Sequence, residues 1–127
     1  MDASDILVLG CPMRQVLDRV GDKWSVLVVA VLSKGGPRRF TELRDTIGGV
    51  TPKVLTQTLR GMERDGLLTR TVFAQVPPRV DYELTPLGWS LRAPLEAILE
   101  WAEKHITEVT TARDAHDATH SAGKAAF

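Results

Sequence analysis

Residues 41–66 read TELRDTIGGVTPKVLTQTLRGMERDG, and this stretch decides the fold. Thr41 is expected to cap a short helix running to about Ile47, in which Leu43 and Ile47 repeat at i and i+4. Gly48 and Gly49 form a turn. Thr51 then caps a longer helix that begins at Pro52, where a missing N–H costs nothing, and runs to about Asp65 before Gly66 closes it. Two short helices joined by a tight, glycine-containing turn are the pattern of a helix-turn-helix unit.

At about 100° per residue the second of these helices divides cleanly. Val54, Leu55, Thr58, Leu59 and Met62 fall on one side, and Lys53, Thr56, Gln57, Arg60 and Arg64 on the other. The polar side has the chemistry of a major-groove reader. Gln bonds adenine with two hydrogen bonds, Arg or Lys bonds guanine, and a Thr methyl touches thymine, each good pair discriminating by about 1 to 3 kcal/mol. An isolated helix with such a stripe is more often a solvated amphipathic helix, so its neighbours have to decide. Gly61 stands inside it, at a cost of about 1 kcal/mol relative to Ala unless a small residue is needed there for close packing.

Upstream, Pro12 suits the first turn of a helix that follows Cys11, carries Val16, Leu17 and Val20 at helical spacing and ends at Gly21. Asp22 can cap a second helix from Lys23 to about Ser33. Its Trp24, Leu27, Val28, Val31 and Leu32 leave almost no polar face, so it belongs in the core. Arg38, Arg39 and Phe40 are expected to be extended. Downstream, Leu67 to Ala74 and Val80 to Leu84 read as two strands. Pro77 and Pro78 hold the connector between them extended, with Arg79 at its tip. A hairpin in this position is the wing of a winged helix. Thr85 and Pro86 open a last long helix with an apolar stripe through Leu87, Leu91, Leu95, Ile98, Leu99, Ala102 and Ile106. Past Thr107 the periodicity is lost, which predicts a frayed tail.

The fold class that follows is mainly α with a small β-hairpin (α+β): an arm over residues 1–10, a winged helix-turn-helix domain over 11–106, and a flexible tail over 107–127. Within it, Arg38 and Arg39 are expected to meet phosphates, as is the helix N-terminus at Thr41 through its free N–H groups. Thr51, Lys53, Thr56, Gln57, Arg60 and Arg64 are the candidates of the reading helix. Arg79 is expected at phosphate or in a minor groove.

Composition is consistent with one soluble domain. The chain has 127 residues, 43% hydrophobic and 25% charged, and a formal charge of zero. Zero net charge is unusual for a partner of nucleic acid, so the distribution matters more. Residues 34–70 carry eight Lys or Arg against four acids, and residues 71–127 carry five against eight. Asp2 and Asp5 occupy the start where a secretory signal would be basic, and the longest apolar run, Val26 to Leu32, is far shorter than a membrane span. A cytoplasmic protein without a membrane partner is expected. Cys11 is the only cysteine, and His105, His116 and His120 lie far from it in sequence, so neither zinc nor nucleophilic catalysis is expected, and no cofactor.

Several motifs in order resemble the HxlR-type bacterial transcriptional regulators, which are winged-helix proteins similar to the MarR group. They are Cys11-Pro12, Gly21-Asp22-Lys23-Trp24, Gly36-Pro37-Arg38-Arg39-Phe40-Thr41-Glu42-Leu43, Thr51-Pro52-Lys53-Val54-Leu55-Thr56-Gln57, Val76-Pro77-Pro78-Arg79-Val80-Asp81-Tyr82-Glu83-Leu84-Thr85 and Leu87-Gly88. The resemblance implies a homodimer built from the first and last helices, binding double-stranded DNA at an inverted-repeat, palindromic operator. Trp24, Leu91, Leu95, Ile98 and Trp101 are expected at the dimer interface or in a pocket for a small-molecule effector, as is Trp89, which stands where that family commonly carries a charged or polar residue. It also implies, for Cys11 at a helix N-terminus, either a sensor of oxidant or electrophile or an inert buried thiol. The rival to DNA reading is a winged helix used as a protein-interaction module, since one fold serves both.

Overall fold

The computed structural model describes residue 7 and residues 10–125, with side chains through residue 120. Most of the arm expected over residues 1–10 therefore lies outside the described residues. Among the described residues six helices and three strands follow in order. They are α1 (Pro12–Val20), α2 (Lys23–Leu32), β1 (Arg38–Arg39), α3 (Phe40–Ile47), α4 (Pro52–Arg64), β2 (Leu68–Phe73), β3 (Arg79–Leu84), α5 (Pro86–Trp89) and α6 (Arg92–Ala125). The chain divides into two compact units, Met1–Arg92 and Ala93–Phe127.

In the first unit α2 is the central helix, packing against α1, α3, α4 and β3. Its apolar sequence explains this: Val28, Val29 and Leu32 are buried against Leu43 of α3, Leu55, Leu59 and Met62 of α4, and Leu68 and Leu84 of the sheet as one core. The antiparallel sheet has the order β1-β3-β2. Its register pairs Leu68 with Leu84 and Phe73 with Arg79. Arg38 and Arg70 flank Tyr82 on one rung, and Arg39 and Thr71 flank Asp81 on the next.

The turn between α3 and α4 requires glycine. Gly48 and Gly49 both have φ of +71°, a region where side chains with a Cβ are strained. Thr51 Oγ1 accepts the Val54 N–H at 3.2 Å, the expected N-cap of α4. At the other end Gly66, with φ +76°, turns the chain so that its N–H reaches the Glu63 carbonyl and that of Leu67 reaches Met62. This paired arrangement satisfies the last carbonyls of the helix.

Two expectations need correction. The α3 helix begins two residues early, with Arg39 and not Thr41 at its N-cap, because the Glu42 carboxylate reaches back to the Arg39 N–H at 3.2 Å. The last helix is not continuous from Pro86. It breaks after Trp89, since Pro94 has no N–H to donate and is tolerated only in the first turn of a new helix. Thr85 Oγ1 accepts the Gly88 N–H at 3.1 Å and donates to the Gly66 carbonyl at 2.6 Å, tying α5 to the exit of α4.

In the second unit the helix passes the point where apolar periodicity ends and continues to Ala125. Residues 107–122 contain neither Gly nor Pro and include several Ala, so nothing in the backbone stops it. Ile98, Leu99, Trp101 and Ile106 are exposed on it. Among the described residues, no helix is long and apolar enough to cross a membrane.

Candidate nucleic-acid interface

The α4 helix presents two faces that differ in what they do inside the chain. Leu55, Thr58, Leu59 and Met62 are buried and Val54, expected on the same side, is half-buried. Opposite them Lys53, Gln57, Arg60 and Arg64 are exposed and Thr56 is half-buried. Among the described residues, Lys53, Gln57, Arg60 and Arg64 make no side-chain hydrogen bond or ion pair, which leaves three cations and an amide open to a partner.

The sheet extends this surface. A cavity of about 160 Å³ separates α4 from the strands, lined by Thr56, Leu59, Arg60, Glu63, Arg70 and Tyr82. Arg70 sits across from Glu63 at 3.6 Å. Burial pushes the Tyr82 phenol above its ordinary value, so it is a neutral hydrogen-bonding group at any physiological pH. Sequence reasoning missed both Arg70 and Tyr82. Only the strand register, which puts Arg38, Tyr82 and Arg70 side by side, brings them to the edge of α4.

Arg38 is half-buried, while Arg39 and Thr41 are exposed at the entry to α3. Arg79 is not at the tip of the hairpin. It opens β3 opposite Phe73, with residues 74–78 forming the tip, and its guanidinium lies 5.2 Å from the Phe73 ring centroid. It also donates to both carboxylate oxygens of Asp81 at 2.9 Å. That hydrogen bonding raises the Arg79 pKa and holds the Asp81 carboxyl below the usual carboxylate range, while Asp81 is largely buried under it. The arginine expected at phosphate or in a minor groove is thus already matched to a carboxylate of its own strand, with about 40% of its side chain exposed.

The residues assigned to a dimer interface or effector pocket divide by exposure. Trp89, Ile98 and Trp101 are exposed, Trp24 and Leu91 half-buried, and Leu95 buried. The Lys23 ammonium lies 4.3 Å from the Trp24 ring centroid. Cys11 is buried, 8% exposed, at the N-cap of α1. Among the described residues, no group of three His, Cys, Asp or Glu is placed to hold a metal ion.

Comparison with known proteins identifies the family. The profile of the HxlR-like helix-turn-helix family matches residues 19–110. The uncharacterized HTH-type transcriptional regulator YtfH of Escherichia coli (strain K12) is 43% identical over 104 residues, spanning 82% of each chain. Among solved structures, the ytfH protein from Salmonella typhimurium superposes with a TM-score of 0.77 at 39% identity, covering 84% of this chain and 95% of its own. The redox regulator HypR in its oxidized form superposes at 0.67 with 37% identity, covering 74% and 96%. Diamide-treated YodB from B. subtilis does so at 0.63 with 32% identity, covering 76% and 96%.

Proposed function

Since the chain belongs to the HxlR-like helix-turn-helix family and is a DNA-binding transcription regulator of that type, we propose that it binds an inverted-repeat operator as a homodimer. The observation that carries this reading is the exposed stripe of Lys53, Gln57, Arg60 and Arg64 on α4, opposite the buried Leu55, Thr58, Leu59 and Met62. Gln57, Arg60 and Thr56 read base edges, while Arg64 and Lys53 at either end reach guanine or phosphate. Arg38, Arg39, Thr41 and Thr51 meet phosphates, and Arg79 meets phosphate or minor groove from the wing.

The homodimer is supported by apolar side chains that the single chain leaves in water. Val16 and Leu17 of α1 and Ile98, Leu99, Trp101 and Ile106 of α6 are all exposed. Dimerisation through the first and last helices would cover them, with Trp24, Trp89, Leu91 and Leu95 beside them or lining a pocket for a small effector. We further propose that Cys11 responds to an oxidant or electrophile. Its place at the head of α1 would couple its modification to the dimer interface, and two of the similar structures are of HypR in its oxidized form and YodB treated with diamide.

Selection of bound duplexes from a random pool tests the reading. A palindrome with half-sites about one helical turn apart is expected. Affinity should fall steeply with salt, at a slope reflecting several phosphate contacts. No enrichment, or binding indifferent to salt, would instead favour a winged helix that docks on another protein.

A further inference from the structure

We infer that Arg19 of α1 is a positioning residue for the reading helix, clamping the last turn of α4 through Gly61 and Asp65; the inference rests on the DNA-reading role proposed for α4. Arg19 Nε donates to Asp65 Oδ2 at 2.9 Å. To reach it, the guanidinium lies over Gly61, in the space that a Cβ at that position would occupy.

Two residues that α4 would not choose for itself are thereby explained. Gly61 sits inside the helix with ordinary helical φ, so its freedom of backbone is unused and Ala would be the better helix former. Asp65 places a negative charge at the end of the helix, where the carbonyl dipoles already point. A single arginine from another helix uses the room that the first leaves and offsets the charge of the second. Gly61 is a cradle, and Asp65 is the point of attachment.

The clamp joins the helix assigned to dimer contact, with Val16 and Leu17 exposed on it, to the helix assigned to base reading. It therefore fixes the angle at which Gln57 and Arg60 are presented relative to α1. A cavity of about 400 Å³ opens beside Arg19, between α1, α5 and the exit of α4. An arginine displaced from Gly61 can move into it without shifting the α4 backbone, so Gly61→Ala is expected to release the clamp and leave the fold intact.

The test uses the full chain and two measurements. In denaturant unfolding, Gly61→Ala should raise the ratio of folded to unfolded protein about threefold more in an Arg19→Ala background than in the wild type, because only the wild type loses the clamp in exchange for better helix propensity. Equal gains in both backgrounds would overturn the clamp. In duplex binding well below the unfolding temperature, Arg19→Ala, Asp65→Asn and Gly61→Ala should each lower the preference for the selected duplex over random duplex about three- to tenfold. Arg19→Lys should keep part of it, and the salt slope should not change, because Arg19 is not a phosphate contact. Unchanged preference in all three variants would overturn the positioning role. A wild type without preference for any duplex would strike at the reading of α4 itself, and the unfolding comparison would still decide the clamp.

Discussion

Arg79 holds Asp81 in a two-pronged grip, Nε to Oδ1 and Nη2 to Oδ2, both at 2.9 Å, two residues apart on one strand of the wing. The carboxylate is the more deeply covered partner, and its ionised form is the one being hydrogen-bonded. Its folded pKa therefore lies below its unfolded value of about 3.9. Stability from this pair is complete above the unfolded value and is lost as pH falls through the folded one. Urea midpoints followed from neutral into acid pH should drop less steeply for Asp81→Asn than for wild type, and parallel profiles would count against the pairing.

Specificity and affinity should separate by position. Replacing Gln57 or Arg60 by Ala is expected to relax preference at one or two base pairs, by about 1 to 3 kcal/mol each. Arg79→Ala should instead weaken selected and random duplexes alike. Binding isotherms against single-base variants of the selected duplex distinguish these patterns, and uniform losses for all three substitutions would contradict the division.

The turn before α4 should tolerate little. Gly49→Ala places a Cβ at a φ of +71° and is expected to cost upward of about 1 kcal/mol. Gly36, which has open space around its Cα and no such φ, provides the control, with a change within about 0.5 kcal/mol. Chemical denaturation of the two variants measures the difference, and equal effects would mean that the backbone conformation is not what selects glycine at position 49.

Cys11→Ser should bind the selected duplex like wild type and lose any response to oxidant or aldehyde. Since Cys11 is 8% exposed, the wild-type response should be slow unless α1 opens. Titration of duplex binding with diamide decides the matter. A wild type that ignores the reagent would remove the sensor and leave a core thiol.

The reading helix was legible because helical spacing separates the apolar Leu55, Leu59 and Met62 from the polar Lys53, Gln57 and Arg60, and only Thr56 and Thr58 are told apart by position and not by residue type. Its ends were legible because Thr51, Pro52 and Gly66 act locally. The helix start at Arg39 was not, because the carboxylate of Glu42 competes with the hydroxyl of Thr41 and their ranking depends on geometry. Arg79 was misplaced by one position, at the tip and not at the start of β3, because its pairing with Phe73 is set by the strand register. Arg70, Tyr82 and Arg19 carry no sequence signal for their roles. Each acquires its partners through contacts over many residues, as between Arg19 and Asp65, which are 46 positions apart.

The length of α6 has a consequence for how the chain can change. Its 34 residues form a rod of roughly 50 Å, and each residue added or removed within it turns every later side chain by about 100°. Between Leu95 and Ile106 a single-residue insertion would rotate half of the apolar stripe away from the other half, so length there is fixed unless it changes by whole heptads. Beyond the stripe no such phase has to be kept, and the same insertion is silent. Tolerance to insertion, scanned residue by residue along this rod, should fall and recover at the place where the apolar spacing stops.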